Sequence, residues 1–174
     1  MPEDSHGAGA LAAMTIALAA RLVADTALRS GAEWEAAPEA RTRGLALARS
    51  AVALGAINEQ AYRGAIAAMA GEAPPPSSEL REELLGDMLD RAAEAPLALA
   101  RTAADVAVLA AEVARHGPAQ AAADAAGAAV IATGAARALT HLVSVNLVTR
   151  DDDPRLYQAR REVSRAVAAL PKGL

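Results

Sequence analysis

The chain has 174 residues, a formal net charge of −4 and no cysteine. This length suits one domain, residues 1–174, with a core of its own. The acidic balance, the lack of a basic stripe and the presence of only two tyrosines and one tryptophan argue against a nucleic-acid partner. Without cysteine there is no disulfide, thiolate nucleophile or zinc–cysteine site, and we expect a cytoplasmic protein.

The apolar stretch at residues 7–20 resembles the core of a signal peptide. The residues before it include Glu3 and Asp4 and no lysine or arginine, which is the wrong charge for a secretory signal. A stretch of this length is also too short to cross a bilayer. We therefore expect no membrane partner.

Alanine dominates the chain and β-branched runs are rare, so the sequence predicts helices and no strands. A first helix follows Ser5, a plausible cap, and its apolar stripe consists of Leu11, Met14, Leu18, Leu22 and Asp25. The predicted helices cover about 7–29, 38–69, 79–116, 119–149 and 155–169.

The stretch GEAPPPSSE, residues 71–79, is the clearest linker, and Pro96 lies inside the third helix, where it should bend the helix axis. Five helices with short connections predict an all-α, antiparallel up-and-down bundle. A bundle with few large core side chains should gain stability from a partner, so we expect a homodimer. The alternative is a monomer with a thin core.

Three polar residues fall on predicted apolar stripes. Asp124 is in register with the stripe of the fourth helix, while Asp25 and Asn58 occupy stripe positions of the first and second helices. Either they form an ordinary buried hydrogen-bond network, or they line a polar pocket between helices. The predicted stripe of the fourth helix consists of Ala128, Ile131, Ala135, Ala138, Leu142 and Val145.

Asn146 faces the same side of the fourth helix as Asp124 but lies about 33 Å further along it. The two residues therefore serve different sites, or an antiparallel dimer brings opposite helix ends together. The histidines, His6, His116 and His141, are not at helical ligand spacing, so no metal site is expected. The segment RDDDPR, residues 150–155, reads as a solvated turn whose carboxylates favour the start of the fifth helix.

Five stretches resemble the C-terminal domain family of formiminotransferase-cyclodeaminase. GAGALAAMTIALAARLVAD (7–25) is similar to its glycine turn and first helix, and AINEQAYRGAIAAM (56–69) to its Asp-x-x-Ala-Tyr/Phe helix. RAAEAPLALARTAADVAVLAAE (91–112) carries the Ala-x-x-Pro-Leu signature. AADAAGAAV (122–130) and VSVNLVTRDDD (143–153) are similar to its aspartate and asparagine motifs.

The resemblance implies a dimeric helical bundle that acts on the one-carbon unit of tetrahydrofolate, without a further cofactor. The reaction would be ring closure of formimino-tetrahydrofolate with loss of ammonia, or hydrolysis of the methenyl form. Asp124 takes the position of the family's aspartate, where it would hold an amidine-like cation and steer a proton, and Asn146 that of an asparagine. Tyr62 and His141 are candidate catalytic helpers; the candidate substrate-binding residues are His6, Gly7, Asp25, Asn58 and Asn146.

Some positions depart from the family pattern. Asn58 replaces a carboxylate and cannot act as a base at neutral pH, and Lys172 is the only lysine in the chain. Two alternatives to folate chemistry therefore stay open: a cyclase or hydrolase acting on another small molecule, and a non-catalytic helical scaffold. The enzymatic interpretation depends on the Asp124 carboxylate being buried beside a cavity, not exposed to solvent or bound to an arginine.

Overall fold

The computed structural model describes residues 7–31, 34–70, 78–147 and 152–171. Within these ranges the chain forms five helices and no strand, which confirms the predicted all-α class. The largest difference from the predicted boundaries is at the end of the fourth helix, expected at 149 and observed at Asn146. The helices are α1 (Ala8–Arg29), α2 (Ala37–Ala70), α3 (Ser78–His116), α4 (Ala119–Asn146) and α5 (Pro154–Ala169).

Helices α1 to α4 form an antiparallel bundle, and α5 lies against α3 and α4 on its outside. Helix α1 packs between α2 and α4, while α3 contacts both α2 and α4. Gly9 at the start of α1 lies against Asn58, near the end of α2. Arg29 at the end of α1 reaches Asp124 at the start of α4. The start of α1 and the end of α4 are therefore at the same end of the bundle.

The core is built from alanine, and the helices pack almost backbone to backbone. A Cβ added at Gly44 of α2 would lie 3.0 Å from both the Ala20 carbonyl oxygen and the Ala24 Cβ of α1. Small side chains permit this approach, so most of the residues that face a neighbouring helix are alanine. The buried face of α1 includes four alanines and two larger residues: Ala13, Ala20, Ala24 and Ala27, with Ile16 and Val23.

The predicted core stripe of α1 is wrong for this reason. Leu11, Met14 and Leu18 are 64%, 58% and 66% exposed. Leu22 is only partly buried, and Asp25 is exposed. Most of the large apolar residues of α1 thus form an outer surface, because the inner surface is mainly alanine, with Ile16 and Val23 as its larger members.

The same rotation applies to α4. Of its predicted stripe, Ala128 and Ala135 are buried, whereas Ile131 and Val145 are about half exposed. The buried face lies to one side of that stripe and includes Ala125, Ala129, Ala132, Ala136, Leu139 and Val143.

Pro96 is buried inside α3, as predicted, and it lacks the N–H that would bond the Ala92 carbonyl one turn earlier. The side chain of Asn146 fills this gap, since its Nδ2 donates a hydrogen bond of 2.9 Å to the Ala92 oxygen. The proline in α3 is therefore matched by an amide at the end of α4.

A cluster of charges fastens the start of α5 to the same stretch of α3. The Arg155 guanidinium binds Asp153 at 2.6 Å, and both the carboxylate and the backbone oxygen of Asp90 at 3.0 Å. Glu94 adds a further ion pair at 3.0 Å. The hydrogen bonds that Arg155 donates to the Asp153 carboxylate outweigh the effect of burial and raise the pKa of Arg155 above its ordinary value. Asp153 also caps α5. This residue of the expected solvated turn therefore helps to hold the start of α5 against α3.

Two helices, α1 and the segment Ala121–Asn146, are long and apolar enough to cross a bilayer. The length argument made for residues 7–20 therefore does not apply to the complete first helix. Core helices pass the same test, and 56% and 44% of the two apolar windows are buried inside the bundle.

Candidate functional site

The glycines at the start of α1 face two polar residues of α2. Gly7 caps α1 in an extended conformation without a side-chain hydrogen bond to the helix. A Cβ at Gly9 would lie 2.2 Å from Nδ2 of Asn58, and one at Gly7 would lie 3.7 Å from the ring of Tyr62. The absence of a side chain at Gly9 is what lets Asn58 lie over the first turn of α1. Gly7, Asn58 and Tyr62, which the sequence suggested separately, are thus neighbours.

An open groove of about 230 Å³ runs beside this group between α1 and α2. Its walls are mostly apolar, and Gly55 contributes to its close packing because a Cβ there would lie 2.8 Å from the Ala13 Cβ. The α1/α2 groove is lined by Ala10, Ala13, Met14, Val52, Gly55, Ala56, Glu59 and Arg63.

An ion pair supplies the charge of the α1/α2 groove. Two nitrogens of Arg63 contact the same carboxylate oxygen of Glu59, Nη2 at 2.9 Å and Nε at 3.0 Å. The Glu59 side chain is 20% exposed, so its carboxylate is largely withdrawn from water. The sequence interpretation missed both residues. The available signal was a Glu–Arg pair at i, i+4 within the tyrosine motif, where glutamate directly follows Asn58.

The predicted burial of Asp124 is wrong. Its side chain is 49% exposed and its Oδ2 lies 2.8 Å from Nη2 of Arg29. Neither the α1/α2 groove nor the cavity between α4 and α5 is lined by it. Asp124 lies on the outer side of α4, as Ile131 does, because the inner side is occupied mainly by alanine, with Leu139 and Val143 further along. The residue-based argument for a buried catalytic carboxylate at this position therefore fails, and a catalytic role for Asp124 stays a prediction.

The other predicted site residues are dispersed. Asp25 is exposed and lies about 24 Å along α1 from Gly9. His141 is exposed on α4, where its backbone oxygen accepts a hydrogen bond from Ser144. His6 lies outside the described residues. Asn146 is engaged at the Ala92 carbonyl, so within one chain it does not join Asp124, as its distance along α4 predicts.

Neither the expected buried network nor the expected polar pocket of Asp25, Asn58 and Asp124 exists in the chain, because two of the three are exposed on different helices. His116 has a structural neighbour instead: it stacks on Trp34, with ring centroids 5.3 Å apart. In the described ranges no group of three or more histidines and carboxylates could hold a metal ion.

Comparison with known proteins agrees with the fold. The structure matches that of a formiminotetrahydrofolate cyclodeaminase from Thermotoga maritima with a TM-score of 0.67 and 21% sequence identity, over 97% of this chain and 84% of that one. At this identity the likeness concerns the fold. A search of curated protein sequences finds no match. The family model of formiminotransferase-cyclodeaminase matches residues 3–165. The chain therefore belongs to the formiminotransferase-cyclodeaminase family.

Proposed function

We propose that the protein acts on a one-carbon unit carried by tetrahydrofolate, closing or hydrolysing an amidine-like centre at the α1/α2 groove. The family match over residues 3–165 carries this proposal. The similarity in fold to a protein named formiminotetrahydrofolate cyclodeaminase supports it. The position of the groove, beside both the glycine turn and the tyrosine motif, supports this location for the chemistry.

Glu59 is the carboxylate that suits this chemistry. Positive charge at an amidine-like carbon is stabilised most by a negative group that is withdrawn from water. Both carboxylates are paired with an arginine, but Glu59 meets that requirement better than Asp124, because its side chain is 20% exposed and lines the groove, while that of Asp124 is 49% exposed and lies outside it. Arg63 holds the Glu59 carboxylate in place from one turn along α2.

Asn58 and Tyr62 lie next to the groove and do not line it, so they would contact a part of the ligand that extends from the groove toward Gly7. Asn58 has a donor and an acceptor but cannot take a proton at neutral pH, so its role would be to hydrogen-bond that part of the ligand. Tyr62 carries a hydroxyl that could pass a proton, and its ring lies against Gly7. A groove of about 230 Å³ has room for a reacting ring, with the rest of a folate lying along the outside.

The test is a direct assay of two substrates. Methenyl-tetrahydrofolate is followed by the loss of its absorbance, and formimino-tetrahydrofolate by the release of ammonia. We expect turnover of at least one by the wild-type protein, and Glu59→Gln to lower kcat by roughly 100-fold or more. Glu112→Gln is the matched control, because Glu112 also pairs with an arginine, Arg43, but lies on α3 outside the groove.

Three results would contradict this proposal at different levels. No rate above buffer with either folate would remove the folate assignment and favour another substrate or a scaffold. Full activity of Glu59→Gln would leave the proposed reaction standing but would show that it does not take place at the α1/α2 groove. An equal loss in the Glu112 control would show a general effect of charge. Circular dichroism and the melting temperature establish that each variant is folded.

We also propose that a second copy of this chain covers the outer surface of α1. Leu11, Met14 and Leu18 are each more than half exposed along one line of an alanine-rich helix, and since Met14 also lines the α1/α2 groove, the second copy would lie at the edge of that groove. Burying a fully exposed side chain of this size stabilises an interface by roughly 1.5–3 kcal/mol. In a two-fold interface each residue is buried on both chains, so three such positions make a substantial contribution.

Light scattering after size exclusion measures this directly. We expect a dimer for the wild-type protein and a monomer for Leu18→Glu. Val145→Glu, which adds the same charge at an exposed apolar residue of α4, should remain dimeric. A wild-type monomer at every concentration, or equal dissociation of both variants, would show that the α1 surface is not the interface.

A further inference from the structure

A second cavity, of about 290 Å³, lies between α4 and α5 on the outside of the bundle. We call it the α4/α5 cleft, and its lining residues are Arg137, Thr140, Arg160 and Val163. Each helix contributes one arginine, so the two guanidinium groups come from opposite walls. The Thr140 hydroxyl donates to the backbone oxygens of Ala136 and Ala159, at 2.9 and 3.3 Å, and ties the walls together next to Arg160.

The two cleft arginines have no carboxylate partner among the described residues. Within the described part of the chain, neither Arg137 nor Arg160 has an ion pair or a side-chain hydrogen bond, although the chain has a net charge of −4. Other exposed arginines such as Arg161 also lack such a partner there, whereas carboxylates pair with Arg29, Arg43, Arg63, Arg155 and Arg165. The α4/α5 cleft thus places two positive charges together without a protein counter-charge.

We propose that the α4/α5 cleft binds a small oxyanion, a molecule with carboxylate or phosphate groups held between Arg137 and Arg160. A guanidinium presents parallel N–H donors that match the two oxygens of either group. Val163 supplies an apolar surface for the carbon skeleton, and the volume is at the lower end of the usual range for ligand sites, about 300 Å³. The ligand is therefore small.

The α4/α5 cleft is separate from the α1/α2 groove. Helix α5 packs on α3 and α4, and neither α1 nor α2 contacts it. The inference therefore does not rest on the proposed folate activity, and its test measures binding alone.

Isothermal titration of the whole chain with inorganic phosphate and with succinate, at constant ionic strength in chloride, tests the proposal. The two titrations distinguish a phosphate ligand from a dicarboxylate. We expect saturable binding of at least one, weakened about tenfold by either Arg137→Gln or Arg160→Gln, since each removes a charge-assisted hydrogen-bonding group. Arg137→Lys keeps the charge but loses the planar fork, so its loss should be intermediate.

Arg161→Gln is the matched control. Arg161 follows Arg160 on the same helix and is exposed, and it does not line the cleft. The control should bind the anion with an affinity within about twofold of the wild type. An equal loss in Arg161→Gln, no response to any of the substitutions, or no binding above chloride would each overturn the proposal. Melting temperatures verify that the variants are folded.

Discussion

Two corners at the same end of the bundle are built in opposite ways. At the proline corner, where α3, α4 and α5 meet near Pro96, Asn146 satisfies the Ala92 carbonyl and Arg155 binds several acidic groups. At the other corner, Gly9 lets Asn58 lie over α1, and an open apolar groove runs beside them. One corner is filled with paired polar groups, and the other leaves room for a ligand.

The difference teaches where polar residues are structural in this molecule. Asn146 was a candidate site residue because it lies in a stretch that resembles a family motif. Its amide instead donates to the Ala92 carbonyl, which Pro96 leaves without an N–H partner. Glu59 attracted no attention in the sequence, yet it lies in the groove. A polar side chain that already hydrogen-bonds an otherwise unpaired backbone group, as Asn146 does, is not available to bind a ligand.

The largest expected effect comes from closing the α1/α2 seam. Gly44→Val would place side-chain atoms where a Cβ alone is 3.0 Å from Ala20 oxygen and Ala24 Cβ, so we expect destabilisation of about 3 kcal/mol. Gly127→Ala is the control, because a Cβ there meets nothing within 4 Å. Replacing that helical glycine should stabilise the protein by roughly 0.5–1 kcal/mol. Urea unfolding measures both, and equal effects would contradict backbone-to-backbone packing.

A substitution at the proline corner should have the next largest effect on the free energy of unfolding. Arg155→Ala leaves Asp90 and Asp153 without their shared cation, and the arginine side chain is only 17% exposed. We expect a loss of about 2 kcal/mol, less than for a fully buried pair because the cluster is partly solvated. Arg161→Ala, on the exposed side of α5, should change the unfolding free energy by less than about 0.5 kcal/mol. If Arg155→Ala changed the unfolding free energy as little as Arg161→Ala, the charge cluster would not contribute to stability.

A double-mutant cycle isolates the link between Asn146 and Pro96. Asn146→Ala alone leaves the Ala92 carbonyl unpaired and should cost about 1–2 kcal/mol. In a Pro96→Ala background the helix supplies its own N–H, so the same substitution should cost clearly less. Denaturant unfolding of the four proteins gives the coupling energy, and perfectly additive effects would show that the amide serves another purpose.

Asp124 should show the smallest effect. Asp124→Asn weakens an exposed ion pair with Arg29, so the unfolding free energy should fall by less than about 1 kcal/mol. Because the residue lies outside the groove, folate turnover, where present, should stay within about twofold of wild type. Loss of turnover in a normally folded variant would support the catalytic role predicted from the sequence and place the reaction near Arg29, at the C-terminal end of α1.

The helices themselves follow from local sequence. Alanine content and the linker at residues 71–79 predict the helices closely, because helix propensity and helix termination are properties of neighbouring residues. The short connections also predict the antiparallel order, since consecutive helices must fold back on each other.

What tertiary structure decided is which side of each helix faces inward. In a chain with ordinary core residues the largest apolar side chains mark the buried side, and that rule predicted Leu18 and Asp124 as buried. Here the helices approach so closely that mostly alanine and glycine, with a few larger side chains such as Ile16, lie between them, so Leu18 is exposed and Asp124 meets Arg29 at the surface. The meeting of Glu59, Asn58 and Gly9 likewise depends on how α2 rotates against α1, which local sequence does not specify because alanine occurs on every side of both helices.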